Sequence, residues 1–401
     1  MLQESFRIQN TGDILTMVKY LAMFPVRTVT LLSALLLGSS EMITAQINNF
    51  NATSNGTYPI YSSNSVPEVT EDSTENETNY TAPYFPLLGF TEYEKNPILA
   101  PNPANNWESA YLYNPSAIVI DDKVWLLYRA QNSSKTSTIG LAWSEDGYNF
   151  TRYNQPVLTP TEWYEIPGGC EDPRVIRVNG TFYMTYTAYD GTTARLCLAT
   201  STDLVEWTKY GPMLPNVTDV LWNWQDPLNS WVPRQGWSKS GAILNERQPD
   251  GTYHMHFGDS FLYFANSTDL IHWNVSYNQP VYAPKLNVWE QALMESASPP
   301  VKTRDGKWLK IYNGVATGQG GFKATQYSTG QMLIDPVNLP YGPPLARLET
   351  PLLQPTNVRE INGQVDNVVF SEGLVQFRGK WFLYFGEGDA FLGVATTPVQ
   401  P

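Results

Sequence analysis

Five stretches of the chain repeat one order of features: a polar start, an apolar strand, a turn of Gly or Asp type, an aromatic strand and then a further strand. YNPSAIVIDDKVWLLYRA runs on into IGLAWSEDGYNF, and EDPRVIRVNGTFYMTYTAY into RLCLATSTDLVEW. SKSGAILNERQPDGTYHMHFGD, ESASPPVKTRDGKWLKIYNG and SEGLVQFRGKWFLYFGEGD begin the other three. Apolar residues alternate at period two within these segments, and DD, NG, DG, DG and RG stand where a hairpin needs residues that tolerate positive φ. An aromatic share of 13% and 30 prolines also favour short strands and many turns. The expected class is therefore all-β. Successive meander sheets bury both faces by packing radially, so five of them predict a five-bladed β-propeller. The segment FPLLGFTEYEKNPILA, residues 85–100, is expected to add an outer strand to the last unit.

In a propeller the innermost strands line the axis, and polar groups at their starts converge on one funnel. Asn114, the pair Glu171 and Asp172, the pair Ser238 and Lys239, Glu295 and Glu372 occupy those starts. Clustered carboxylates beside Arg129, Arg174 and aromatic rings suit glycosidic chemistry. One acid must protonate the leaving oxygen while another group acts across the sugar ring, and unequal surroundings separate their pKa values.

The rest of the chain sets boundaries. Lys19 and Arg27 precede the apolar run TVTLLSALLLG, and ITA at 43–45 suits signal-peptidase cleavage. Residues 1–45 are expected to be a signal peptide or signal anchor, so membrane contact requires an uncleaved anchor. Residues 46–84, rich in Asn, Ser, Thr and Glu, are expected to be a disordered glycosylated linker, with 85–401 as the catalytic propeller. Sequons at Asn51, Asn55, Asn76, Asn79, Asn132, Asn149, Asn179, Asn216, Asn266 and Asn274 agree with a secreted glycoprotein. A net charge of −13 disfavours nucleic acid as a partner. Cys170 and Cys197 fall on non-neighbouring strands, too far apart for a disulfide, and read as buried thiols. His254, His256 and His272 make a poor ligand set, so neither a metal nor another cofactor is expected.

From about residue 95 to 397 the chain resembles glycoside hydrolase family 130, the β-mannoside phosphorylases and related β-mannosidases. The resemblance rests on YNPSA at 113–117, LYRA at 127–130, CEDPR at 170–174 with TYTAYDG at 185–191, SPPVKT with IYNGV within 298–315, and DNVVFSEG with YFGEGDAFLGVAT within 366–396. It implies a general acid at Asp172, whose proton passes through a sugar hydroxyl. It also implies that Asn114, Arg129, Glu171, Arg174, Tyr189, Asp190 and Asp389 hold the −1 mannose. Lys239 matches the lysine of the third repeat, with Ser240 where an acid is usual.

Phosphorylases of the family bind phosphate through basic residues, at places that read here Phe257 and Gly258, Asn313, and Trp237 with Ser238. A dianion among Asp259, Glu295 and Glu372 without cations is disfavoured. The expectation is therefore inverting hydrolysis of a β-mannoside, with Glu295 or Glu372 as base and Asp259 third. Asp259 and Asn313 complete the substrate-binding set. The alternatives are a phosphorylase releasing mannose 1-phosphate, a non-catalytic carbohydrate-binding propeller, and a propeller of the arabinosidase, xylosidase or invertase kind.

Overall fold

The structure, a computed structural model, describes residues 58–222, 231–286 and 288–401. The chain divides into two units, Met1–Pro59 and Ile60–Pro401. The expected signal segment and residues 46–57 of the expected linker lie outside the described residues. Ile60–Pro401 is all-β. Among the described residues, helix is confined to the turns Asn106–Glu108, Trp163–Glu165 and Val358–Ile361, and no helix is long and apolar enough to cross a membrane.

Two short strands come first, β1 (Tyr61–Ser63) and β2 (Thr91–Glu92). The first repeat forms β3 (Tyr111–Ile120), β4 (Lys123–Gln131), β5 (Ser137–Ser144) and β6 (Thr151–Tyr153). The second forms β7 (Gly169–Val178), β8 (Thr181–Tyr189), β9 (Ala194–Ser201) and β10 (Thr208–Pro212). An inserted hairpin follows, β11 (Thr218–Trp222) with β12 (Trp231–Gln235). The third repeat supplies β13 (Ala242–Ile243), β14 (Tyr253–Phe257), β15 (Leu262–Ser267) and β16 (Asn274–Tyr282). The fourth supplies β17 (Leu293–Ser296), β18 (Val301–Lys302), β19 (Trp308–Thr317), β20 (Ala324–Ile334) and β21 (Ala346–Arg347). The last gives β22 (Val369–Phe377), β23 (Lys380–Glu387) and β24 (Phe391–Pro398). Each repeat is an antiparallel meander, and one parallel pair, Ser137 with Gly169, joins the first two.

The turn chemistry sets these registers. Asp121 and Asp122 both adopt positive φ between β3 and β4, as do Asn179 and Gly180 between β7 and β8, and Arg378 and Gly379 between β22 and β23. Such a backbone matches the twist of a tight hairpin. β2 pairs with β24, through Thr91 with Thr396 and Glu92 with Ala395, which is the outer strand expected from residues 85–100.

Five hydrophobic clusters fill the spaces between consecutive sheets. Ile118, Trp125 and Leu141 pack on Val175, Met184 and Cys197, and Ile176 and Leu196 on Ile243 and Met255. Leu262 and Phe264 meet Met294 and Trp308, while Leu309 and Ile311 meet Val369 and Leu383. The fifth cluster joins Val119 and Leu126 of the first repeat to Phe377 and Phe382 of the last. Each repeat's sheet thereby packs against its neighbours on both faces. Strands such as β3 and β19 consequently read as nearly continuous buried runs. Cys170 and Cys197 are free and buried, on strands that flank β8.

Residues 61–84 belong to the segment expected to be a disordered linker, and here they form a strap across the sheets. β1 runs parallel to β6, and Glu75 bridges to Ile120. Arg177 donates to the carbonyls of Thr70, Glu71 and Ser73, and Arg304 to that of Ala82. Gln376 exchanges hydrogen bonds with the backbone of Thr81. The strap has few large aliphatics because it is held through its backbone. Composition alone does not register that mode of attachment.

Candidate active site

Three inner strands carry a bulge at the residue that bears chemistry. Asn114 is the extra residue of β3, Asp172 and Pro173 together stand opposite the single Tyr186 across β7 and β8, and Glu372 is extra in β22. Asn114 and Asp172 adopt φ of 53° and 50°, and Ser240 one of 58°. Asn and Asp tolerate this left-handed conformation better than other residues, and a bulge re-aims a side chain. NP, DP and EG in the sequence thus mark where strands turn a polar side chain out of the regular pleat.

The bulges bring the expected residues together. Arg129 donates from Nη1 to Asp172 Oδ1 at 2.9 Å, from Nη2 to Glu171 Oε1 at 2.5 Å and from Nε to Ser137 Oγ at 2.9 Å. Its guanidinium lies 4.6 Å from the centre of the Tyr113 ring. Lys239 Nζ sits 3.3 Å from Asp172 Oδ2 and 3.1 Å from Glu295 Oε1, which also accepts from Ser240 Oγ. Arg174 Nη2 donates to Glu372 Oε1 at 2.8 Å, and Asn114 Nδ2 to the same oxygen at 2.8 Å. Arg174 also donates to the backbone carbonyls of Asp172, Ser296 and Ala297. Glu372 Oε2 is buried without a hydrogen-bond partner.

These surroundings separate the acids. Burial pushes Asp172 up, but the charges of Lys239, Arg129 and Arg174 outweigh it and hold the carboxyl at about 2. Burial, opposed by Arg174 and reinforced by Asp172, raises Glu372 to about 8. Burial likewise raises Glu171 and Asp389 to about 7, against the pull of Arg129. Glu295 is raised by burial against Lys239. At pH 7 Asp172 is therefore ionised, while Glu372 is mostly protonated.

Asp259 and Arg234 form a second wall. Arg234 binds both oxygens of Asp259 and also reaches Asp219, and its guanidinium lies 4.3 Å from the centre of the Trp237 ring. The Asp259 carboxyl, pushed up by burial, is brought below its ordinary value by Arg234 and Lys239. Sequence reasoning missed Arg234 because it stands on the inserted hairpin, which has no counterpart in the other repeats. Its local signal is the alternating stretch WVPRQGW, an Arg between two tryptophans five residues before Lys239.

Three expected residues are not brought into the cluster. Asp190 accepts from Thr192, Thr193 and Arg195 within its own turn, and the Tyr189 hydroxyl donates to the Gly191 carbonyl. Asn313 is fully buried and its amide is satisfied by Ser371 N and O and by Thr329. It fixes the backbone of β22 next to Glu372.

Residues 91–401 match the family described as β-1,4-mannooligosaccharide phosphorylase within glycoside hydrolase family 130. A 1,2-β-oligomannan phosphorylase of Thermoanaerobacter is 31% identical, over 77% of this chain and 97% of its own length. A β-1,2-mannobiose phosphorylase of the same organism is 33% identical with the same coverage. A solved structure from work describing glycoside hydrolases in this family that target β-1,2 mannosidic linkages in Candida mannan is 30% identical, with a TM-score of 0.68 over 82% of this chain and 99% of that one.

The expected inverting hydrolysis is overturned by the curated relatives, which are phosphorylases. Two features of the site also count against it. The pocket does not lack cations, since Lys239 and Arg234 lie among its carboxylates. Glu372, named as a base, is mostly in its acid form at neutral pH. By the extent of the match and the identity of these relatives, the chain belongs to glycoside hydrolase family 130, whose members act on β-mannosides.

Proposed function

We propose that this protein is a β-mannoside phosphorylase that cleaves a β-1,2-linked mannoside with inorganic phosphate and releases mannose 1-phosphate. The observation that carries this reading is the pair of cations, Lys239 and Arg234, spread over Asp172, Glu295 and Asp259. With Glu372 protonated and Glu171 and Asp389 near their midpoints at neutral pH, the site carries less negative charge than its carboxyl groups would at full ionisation. Lys239 and Arg234 can then give a phosphate charge-assisted hydrogen bonds in exchange for those they make to Glu295 and Asp259.

In this reading a phosphate oxygen attacks the anomeric carbon as the glycosidic C–O bond breaks, and the departing oxygen takes a proton. Asp172 supplies that proton through a mannose hydroxyl. Lys239 helps keep Asp172 ionised, and a dianion that draws the Lys239 charge toward itself raises the Asp172 pKa, so that the carboxylate takes up from solvent the proton it then donates. Phosphate and proton donor are thereby coupled. Arg129, Glu171, Asn114 and Arg174 orient the sugar.

The five meander sheets are taken as blades of one propeller, supported by five cores that link each sheet to the next and the last to the first. The catalytic domain is taken as 85–401 and the protein as secreted, on the sequence grounds given above.

The test is incubation with β-1,2- and β-1,4-mannobiose, with and without phosphate. Mannose 1-phosphate formed only with phosphate, and faster from the β-1,2 substrate, supports the proposal. Free mannose at equal rates in both buffers rejects it.

A further inference from the structure

Trp163 is 69% exposed, the most solvent-facing large apolar side chain among the described residues. Exposed indole is costly to keep in water and is the side chain best suited to cover the apolar face of a ring. Its setting is built. The turn Trp163–Glu165 is closed by a capping box between Glu162 and Glu165. Buried Glu165 anchors that turn by accepting from Tyr186 Oη at 2.8 Å and Lys209 Nζ at 2.7 Å. The Tyr164 ring meets Trp163 edge-on, with centres 5.5 Å apart.

The Arg195 guanidinium lies 5.0 Å from the Trp163 ring centre, and Arg195 is fixed by Asp190 at 2.5 Å. Asp190 is itself fixed, accepting from the backbone of Thr192 and Thr193 at 2.8 Å each. A neutralised guanidinium thus backs the indole and leaves the rest of it open. Asp190 and Arg195 are thus restrained beside this ring and apart from the carboxylate cluster.

The ring stands near the start of β7. Gly169 pairs with Tyr189 and Glu171 with Thr187, so the turns at 163–168 and 189–195 lie together beyond the start of β7. A side chain on Gly168 would strike Tyr189, which shows how closely the two segments pack. Asp172 is three residue steps along the strand from Gly169, roughly 10 Å. The Trp163 contacts, Arg195 and Tyr164, include no member of the cluster.

We infer that Trp163, backed by Arg195 and Asp190, is a stacking platform for a distal sugar of the β-mannoside chain, so that the protein favours oligosaccharides over the disaccharide. This rests on the reading proposed above for substrate class, and it concerns chain length alone.

Calorimetric titration of the full chain in phosphate-free buffer tests it with β-1,2-mannobiose and β-1,2-mannotetraose as probes. The wild type is expected to bind the tetraose more tightly than the biose. Trp163→Ala is expected to shrink that advantage by roughly three- to ten-fold, in line with an aromatic contact, and Trp163→Phe to restore most of it. An unchanged ratio in Trp163→Ala, a wild type that does not distinguish the two lengths, or binding of neither probe would overturn the inference. Phosphorolysis is read separately by its product, so failure of either idea is distinguishable from failure of the other.

Discussion

Asn114 and Glu372, 258 residues apart, are joined by a 2.8 Å hydrogen bond from the amide of the first to the carboxyl of the second. Each is the extra residue of a bulged inner strand, one in the first repeat and one in the last. The bond therefore ties together the two ends of the folded chain and orients a carboxyl in the site. Fold and site share the same residues here, and several consequences can be measured.

The pKa of Glu372, raised from 4.5 to about 8, makes stability depend on pH. The folded state holds this proton more tightly than the unfolded chain, so its contribution is complete below about pH 4.5 and is lost as pH rises through about 8. Denaturant titrations at pH 5 and pH 8 are expected to show wild-type stability falling with pH by more than that of Glu372→Gln. Identical slopes for the two proteins would place the Glu372 proton elsewhere.

Arg234 is expected to act on phosphate more than on sugar. Arg234→Ala removes a charge-assisted donor set, which should raise the KM for phosphate by roughly 10- to 100-fold. The KM for mannobiose should change far less. Equal increases in both constants would show that the hairpin only shapes the pocket.

Asp172→Asn leaves the side chain nearly the same size but removes the proposed proton donor. A loss of roughly 10²- to 10⁴-fold in kcat is expected, with circular dichroism and melting close to wild type. A variant with more than a tenth of wild-type kcat would transfer the acid role to another carboxyl.

The strap gives a prediction that is structural only. Arg177 is buried and satisfies three backbone carbonyls of residues 70–73. Arg177→Ala should lower stability by about 2–4 kcal/mol, from several lost hydrogen bonds, and speed proteolysis within 61–84. Unchanged protease resistance would mean that other contacts hold the strap.

The repeats, their hairpin turns and the outer strand from residues 85–100 were legible in the sequence, because period-two alternation and turn residues are local signals. So were most of the converging residues, since strand starts become neighbours in any radial arrangement. Arg234 was not legible, as its partner Asp259 is reached across a hairpin that interrupts the repeat. Tyr189 and Asp190 match the motif in sequence, yet the turn around Gly191 binds their polar atoms locally. The strap escaped notice because hydrogen bonds to backbone carbonyls leave no mark on composition. Protonation of Glu372 depends on burial by remote segments, which no single stretch reports.

The initial rate of β-1,2-mannobiose cleavage as a function of phosphate concentration tests the central claim most directly. A rate near zero without phosphate, rising to saturation with equimolar mannose and mannose 1-phosphate, is the predicted result. A rate independent of phosphate, with two mannoses formed per disaccharide, would contradict it.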